Sequence, residues 1–263
     1  MIVTTSQAPD ARLLAYARSL AAELGAPLVD RRQMSVTKLM QRYRCQAMLV
    51  ATEHELRLYD EQHNTKPLVY HPSMAYVKLK AMLNGRSEHL IQLSDCRKGD
   101  VVLDCTAGLC SDSLLFSMAV GASGKVIALE SQQLLYMVVR EGLQHYKADV
   151  PQIQQAMRRI QLQNVHHAEY LASLDDHSVD IVYFDPMFRQ PLHESSAIGA
   201  IRDLANNDAL SLEVIAQAKR VARKCVLLKE HSRSDEFQRL GFTRCDDGQA
   251  QADRVAYGKI QLA

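Results

Sequence analysis

From about residue 100 onward the chain alternates short apolar strands with helical stretches of about 10–15 residues, and that alternation leaves few folds open. The strand signals are DVVLDCTAG, KVIALES, VDIVYFDP and KCVLLKEH. Each is apolar along nearly its whole length, as expected of a strand buried on both faces of a parallel sheet. DSLLFSMAVGA, QLLYMVVREGLQHYK, IQQAMRRIQLQ and a stretch ending near Lys219 are the predicted helices. The tail, FTRC with RVAYGKIQL, reads as a terminal antiparallel hairpin. The expectation is a doubly wound α/β fold whose ligands lie beyond the carboxyl ends of its strands.

The first 85 residues read differently. MIVTT predicts a strand, and ARLLAYARSLAAELG a helix stopped at Gly25. PLVD suggests a short strand, SVTKLMQRY a helix capped by Ser35, and AMLVATEHELRLYD with PLVYH further strands. HPSMAYVKLKAMLNG predicts a helix between Pro72 and Gly85. We therefore expect a small α/β region over 1–85, a candidate for substrate binding, and a larger domain over 86–263.

Composition narrows the classes. No apolar run approaches the length of about 20 residues needed to cross a bilayer, and the N-terminus has no secretory pattern. The six cysteines hold no CxxC pair and no zinc-ligand spacing, which suits reduced thiols in the cytoplasm and no metal site. A net charge of +1 hides an asymmetry, with 12 Lys and Arg against 8 Asp and Glu in the first 90 residues. Arg31, Arg32, Lys38, Arg42 and Arg44 form a basic cluster that suits either phosphate contact or a solvated helix face.

Three acidic residues fall at or just past strand ends: Asp104, Glu130 and Asp185. In LDCTAGLCSD, the small residues Thr106, Ala107 and Gly108 let a ligand approach the backbone, and the following helix directs its amides there. Glu130 lies about 20 residues on, where a carboxylate accepts hydrogen bonds from ribose hydroxyls. Cys110 stands where a G-x-G-x-x-G motif would need a second glycine, which argues against a pyrophosphate dinucleotide. Together these features describe an adenosine-type ligand. Asp185 and the carbonyl of Pro186 offer acceptors to an exocyclic amine of a nucleobase, and Phe188 a ring to stack on the base. Methyl transfer from a sulfonium to such a nitrogen needs mainly alignment.

These residues resemble a class I S-adenosylmethionine-dependent methyltransferase. More narrowly, they are similar to the bacterial J-type family that methylates a guanine N2 in small-subunit ribosomal RNA. That family's D-x-T-A-G-x-G-x-D turn is matched by Asp104 to Asp112, with Cys110 replacing a glycine, and its D-P-M-F motif by Asp185 to Phe188. The match runs over roughly residues 70–235. The resemblance implies a mostly parallel seven-stranded Rossmann-like sheet. Ser111, Asp112, Glu130, Ser131, Glu169, Tyr170 and Asp185 would contact the cofactor, beside the turn residues Asp104, Thr106, Ala107 and Gly108. Asp185 and Pro186 would hold the amine, Phe188 would pack on the base, and RNA would be the partner.

Several alternatives stay open on sequence alone. They are the same cofactor with DNA, protein or a small molecule as acceptor, a non-catalytic RNA-binding protein, and a nicotinamide-dependent oxidoreductase. The His166-His167 pair fits either adenine contact or a partly exposed loop. Lys229, Glu230 and His231 end a strand beside the expected acceptor pocket.

Overall fold

The computed structural model describes residues 1–60, 66–186, 209–245 and 255–262. Two compact units divide the chain: 1–71 with 137–147, and 72–136 with 148–263. The helix Ser73–Leu83, expected within the region 1–85, groups with the second unit.

In the first unit, β1 (Ile2–Thr5) pairs in parallel with β2 (Ala47–Ala51), which pairs antiparallel with β3 (Leu56–Asp60). Helix α1 (Ala11–Glu23) packs on β1 and β2 through Leu13, Ala17, Leu20 and Ala21. Its N-cap is Asp10, whose carboxylate accepts the Leu13 amide at 2.7 Å. Helix α2 (Val36–Tyr43) is capped by Ser35, as predicted. PLVD and PLVYH contribute only isolated bridges, at Leu28 and Leu68.

Among the described residues, the second unit is built on seven strands: β4 (Val101–Asp104), β5 (Lys125–Leu129), β6 (Ile160–Gln163), β7 (Val179–Phe184), β8 (Ala222–His231), β9 (Thr243–Arg244) and β10 (Val255–Gln261). Their order is β6-β5-β4-β7-β8-β10-β9. All neighbours are parallel except β10, which runs antiparallel to both β8 and β9. The expected sheet and terminal hairpin are therefore present. One expectation fails: in IQQAMRRIQLQ, only the stretch up to Arg159 is helical, and Ile160–Gln163 is the edge strand β6 on β5. Four residues alternating Ile-Gln-Leu-Gln are too short for their period to show beside a helix.

Among the described residues, the helices of this unit are α3 (Ser73–Leu83), α4 (His89–Ser94), α5 (Ser111–Val120), α6 (Gln133–His145, begun here), α7 (Pro151–Arg159), α8 (His167–Ser173), α9 (Leu212–Val221) and α10 (Glu236–Leu240). Helix α5 is buried nearly all round, because α3 and α7 pack on it while it covers β4 and β5. On the other face, α8 and α9 share a core with Val182 and Phe184, whereas Tyr183 meets Phe116 of α5 edge-on at 5.4 Å. Successive strand residues thus serve opposite layers. The strand order reverses direction between β4 and β7, which puts the crevice for a ligand at the carboxyl ends of those two strands.

Candidate active site

Asp104 closes β4 and is 2% exposed. Its carboxylate accepts the Thr106 amide at 3.2 Å and the Ser113 hydroxyl at 2.5 Å, so it shapes the turn from within. Burial pushes its titration up to about 7, against the pull of those two donors. In the turn, Gly108 has φ +50° and nothing within 4 Å of where a Cβ would lie, leaving open space above the backbone. Cys110, fully buried, takes the left-handed conformation at φ 59° just before α5. The residue that departs from the glycine pattern therefore adopts the glycine-type backbone, at a cost of roughly 1–2 kcal/mol.

Asp112 lies in the first turn of α5 and Asp185 directly follows β7. Lys229 of β8 joins them: its ammonium donates to Asp112 Oδ2 at 2.9 Å and to Asp185 Oδ2 at 2.7 Å. The Tyr183 hydroxyl donates to the same Asp112 oxygen at 2.6 Å. The Asp185 backbone amide donates to Thr106 Oγ1 at 2.6 Å. Burial favours a neutral Asp112, but Lys229 and Tyr183 override it and hold the acid below the usual carboxylate range. For Asp185 burial prevails, with Asp112 adding to it, and the group is pushed up to about 6 despite Lys229. Burial opposes the charge on Lys229, yet the two carboxylates raise it well above the ordinary lysine value. One lysine between two carboxylates leaves this cluster with a net negative charge.

Glu130 follows β5 and is 7% exposed. Its Oε1 accepts the Gln132 amide at 2.7 Å, and burial pushes it up to about 7 against backbone donors at Gln132, Gly108 and Ser131. Its neighbourhood to Gly108 ties the second acidic strand end to the small-residue turn. Asn164 Nδ2 donates to the carbonyls of Glu130 and Ser131.

The structure thus gathers Asp104, Thr106, Asp112 and Asp185 into one hydrogen-bonded assembly, with Glu130 at the adjoining strand end. Ser111 and Pro186 flank it in sequence, and both are half-buried. Glu169 is exposed on α8, and Tyr170 packs partly against the core. His166 Nδ1 accepts the Ala168 amide and so caps α8, while His167 lies edge-on to Phe184. Phe188 and Met187 lie outside the described residues. Among the described residues, no group of three or more His, Cys, Asp or Glu could hold a metal ion, and no helix is long and apolar enough to cross a membrane. Cys45, Cys105, Cys110 and Cys225 are buried, and Cys96 and Cys245 are half-buried.

Sequence reasoning placed Lys229 beside the pocket, but not as the bridge between two acids. Tyr183 and Ser113 escaped it entirely, since a tyrosine within an apolar strand and a serine on a buried helix give no sign of what their hydroxyls meet.

The acids at the strand ends complement a ligand that carries both a cation and a pair of hydroxyls. Comparison with known proteins agrees. Residues 32–241 match the SAM_MT family, described as SAM-dependent methyltransferases. The uncharacterized protein YpiP of Bacillus subtilis is 38% identical over 241 residues, covering 92% of this chain and 93% of that protein. Ribosomal RNA small subunit methyltransferase J of Psychrobacter cryohalolentis is 27% identical over 194 residues, 69% of this chain and 64% of the relative. The Acinetobacter baumannii protein of that name is 35% identical over 115 residues, 43% of this chain and 40% of the relative. In fold, the chain is similar to the SAM-dependent methyltransferase NGO1261 of Neisseria gonorrhoeae, with TM-score 0.64 and 16% identity over 99% of this chain and 96% of that one. The family match spans most of the chain and is decisive: this protein belongs to the SAM-dependent methyltransferases, and S-adenosylmethionine is its cofactor.

Proposed function

We propose that this methyltransferase places its methyl group on an exocyclic amine of a nucleobase, with N2 of a guanine in small-subunit ribosomal RNA as the acceptor. The observation that carries the reading is Asp185. Its side chain ends β7 beside Pro186, is 28% exposed and sits on a backbone tied down by Thr106. A carboxylate and the next carbonyl supply the two acceptors that an –NH2 group requires, and holding both N–H bonds aims the nitrogen lone pair. The names of the Psychrobacter and Acinetobacter relatives support ribosomal RNA as the substrate and partner. In this reading the protein works in the cytoplasm.

The cofactor fits the residues present. The open space over Gly108 admits a ligand against the turn, and the carboxylates of Asp112, Glu130 and Asp185 at the neighbouring strand and helix ends suit its cation and hydroxyls. Glu130 would accept the ribose hydroxyls. Ser111, Asp112, Ser131, Glu169, Tyr170 and Asp185 would make the further contacts with the cofactor. Bound S-adenosylmethionine supplies an electrophilic methyl group on a sulfonium. Asp185 and Pro186 would hold the acceptor nitrogen through its N–H bonds, and the Asp185 carboxylate can receive the proton that the amine sheds. Phe188 would stack on the base.

The test is methylation of ribosomal RNA from a strain lacking the gene, using deuterium-labelled S-adenosylmethionine and nucleoside mass spectrometry. Labelled N2-methylguanosine is expected with the wild type and not with Asp185→Ala. Label confined to another nucleoside, to DNA or to protein would refute the acceptor.

A further inference from the structure

We infer that Lys229 is a positioning residue for methyl transfer: it ties Asp112 to Asp185 and keeps the Asp185 carboxylate anionic and fixed where the acceptor amine must bind. This rests on the role proposed above for Asp185.

The geometry requires a cation there. Asp112 and Asp185 meet at one ammonium, 2.9 and 2.7 Å away, with side chains of all three largely withdrawn from water. Two carboxylates confined to one site do not both ionise near neutrality without a compensating charge. The other groups facing the cluster cannot provide it. Tyr183 from β7 and Tyr257 from β10, which lies opposite Lys229 across the strands, are both held neutral, their titrations raised by burial. Asp104 from β4 adds negative charge near Asp185. Lys78 from α3 acts on Asp112, but its ammonium is bound to Glu88 at 2.7 Å. Lys229 is the one cation among the described residues that is hydrogen-bonded to these two acids.

Its partners are themselves fixed, which separates aiming from mere attraction. Tyr183 pins the Asp112 oxygen that Lys229 binds, and Thr106 pins the Asp185 backbone. Lys229 extends from β8, immediately beside β7 in the sheet. With the backbone of Asp185 and the carboxylate of Asp112 both held, the ammonium fixes the side-chain torsion of Asp185. Buried ion clusters of this kind seldom add net stability, so a role in holding geometry and charge accounts better for the lysine.

The experiment compares wild type, Lys229→Met, Lys229→Arg and Lys229→Gln. Carboxyl titrations are followed by NMR on 13C-aspartate protein, with Asp112→Asn and Asp185→Asn for assignment. Rates of RNA methylation are taken against pH, and S-adenosylmethionine affinity by calorimetry. In Lys229→Met, one acid of the pair should stay protonated to a pH at least about one unit higher, moving the acid limb of the rate profile with it. That shift is roughly a tenfold loss of rate below the limb, partly recovered by raising the pH. Lys229→Arg should restore most of the rate, and Lys229→Gln should repeat the shift should Met at this position prevent folding. Unchanged carboxyl titrations and an unchanged pH profile would overturn the inference. So would tighter cofactor binding at an unmoved profile, which would make Lys229 a stand-in for a cationic group of the cofactor. The titrations need no nucleic acid, so they decide the role of Lys229 even if ribosomal RNA is not the substrate.

Discussion

The hydroxyl of Thr106 accepts the backbone amide of Asp185 at 2.6 Å, across 79 positions of sequence. The turn after β4 and the turn after β7 are thereby one unit, and whatever seats a cofactor on the first also locates the acid of the second. Thr106→Val keeps the shape and removes the acceptor, leaving a half-buried donor unsatisfied at a cost of about 1–3 kcal/mol. The expected result is a fall in kcat of roughly tenfold or more, with cofactor affinity changed only a few-fold. Thr106→Ser should behave like the wild type. Steady-state kinetics beside thermal melting decides it, since equal losses in Thr106→Val and Thr106→Ser would remove the hydroxyl from the account.

Glu130 gives a dependence on pH. Burial raises its titration to about 7 from 4.5, so the folded protein holds a proton there that the unfolded chain has already lost. Its contribution to stability is therefore greatest below that window and declines as the pH rises through it. Denaturant unfolding should show Glu130→Gln gaining on the wild type between about pH 5 and pH 8. Cofactor affinity should move the other way in the wild type, rising as the carboxylate forms to receive hydroxyls. In Glu130→Gln it should be flat with pH and weaker by roughly tenfold, the loss of one charge-assisted hydrogen bond.

The basic cluster of the first unit can be tested by salt. Arg42 and Arg44 are exposed at the end of α2, and Arg42 lies 6.0 Å from the ring of Tyr43, itself 43% exposed. If these groups meet RNA phosphates, Arg42→Glu with Arg44→Glu should weaken RNA binding and flatten its dependence on salt, by about one unit of slope for each phosphate left without its arginine. Cofactor affinity should stay as it was. RNA affinity unmoved at all salt concentrations would leave the cluster as a solvated helix face.

Gly124 is a packing requirement. A Cβ there would stand 2.4 Å from Val120 Cβ and 2.7 Å from the Asp100 carbonyl oxygen, where α5 turns back into β5. Gly124→Ala should destabilise the protein by about 1–3 kcal/mol through forced displacement of backbone, seen as a lower urea midpoint. Gly108→Ala, with open space but φ +50°, should cost less in packing and show its effect in cofactor affinity.

Features that depend on near neighbours were legible in the chain alone. Strands apolar along their length, separated by helices, required a parallel sheet covered on both faces. The small residues of the turn and the acids at Asp104, Glu130 and Asp185 could be read because each closes a strand within a few positions of its own signal. Ile160–Gln163 and α4 were not legible, since four residues on an edge or six in a short helix carry too little periodicity. The assembly around Asp185 was decided only by tertiary structure. Residues 106, 112, 183, 185 and 229 meet because the sheet order sets β7 between β4 and β8. No local pattern says which strands will be neighbours. Which acid receives the lysine, and which hydroxyl closes on which amide, follows from pairing over long separations in a core where an unpartnered polar group is costly.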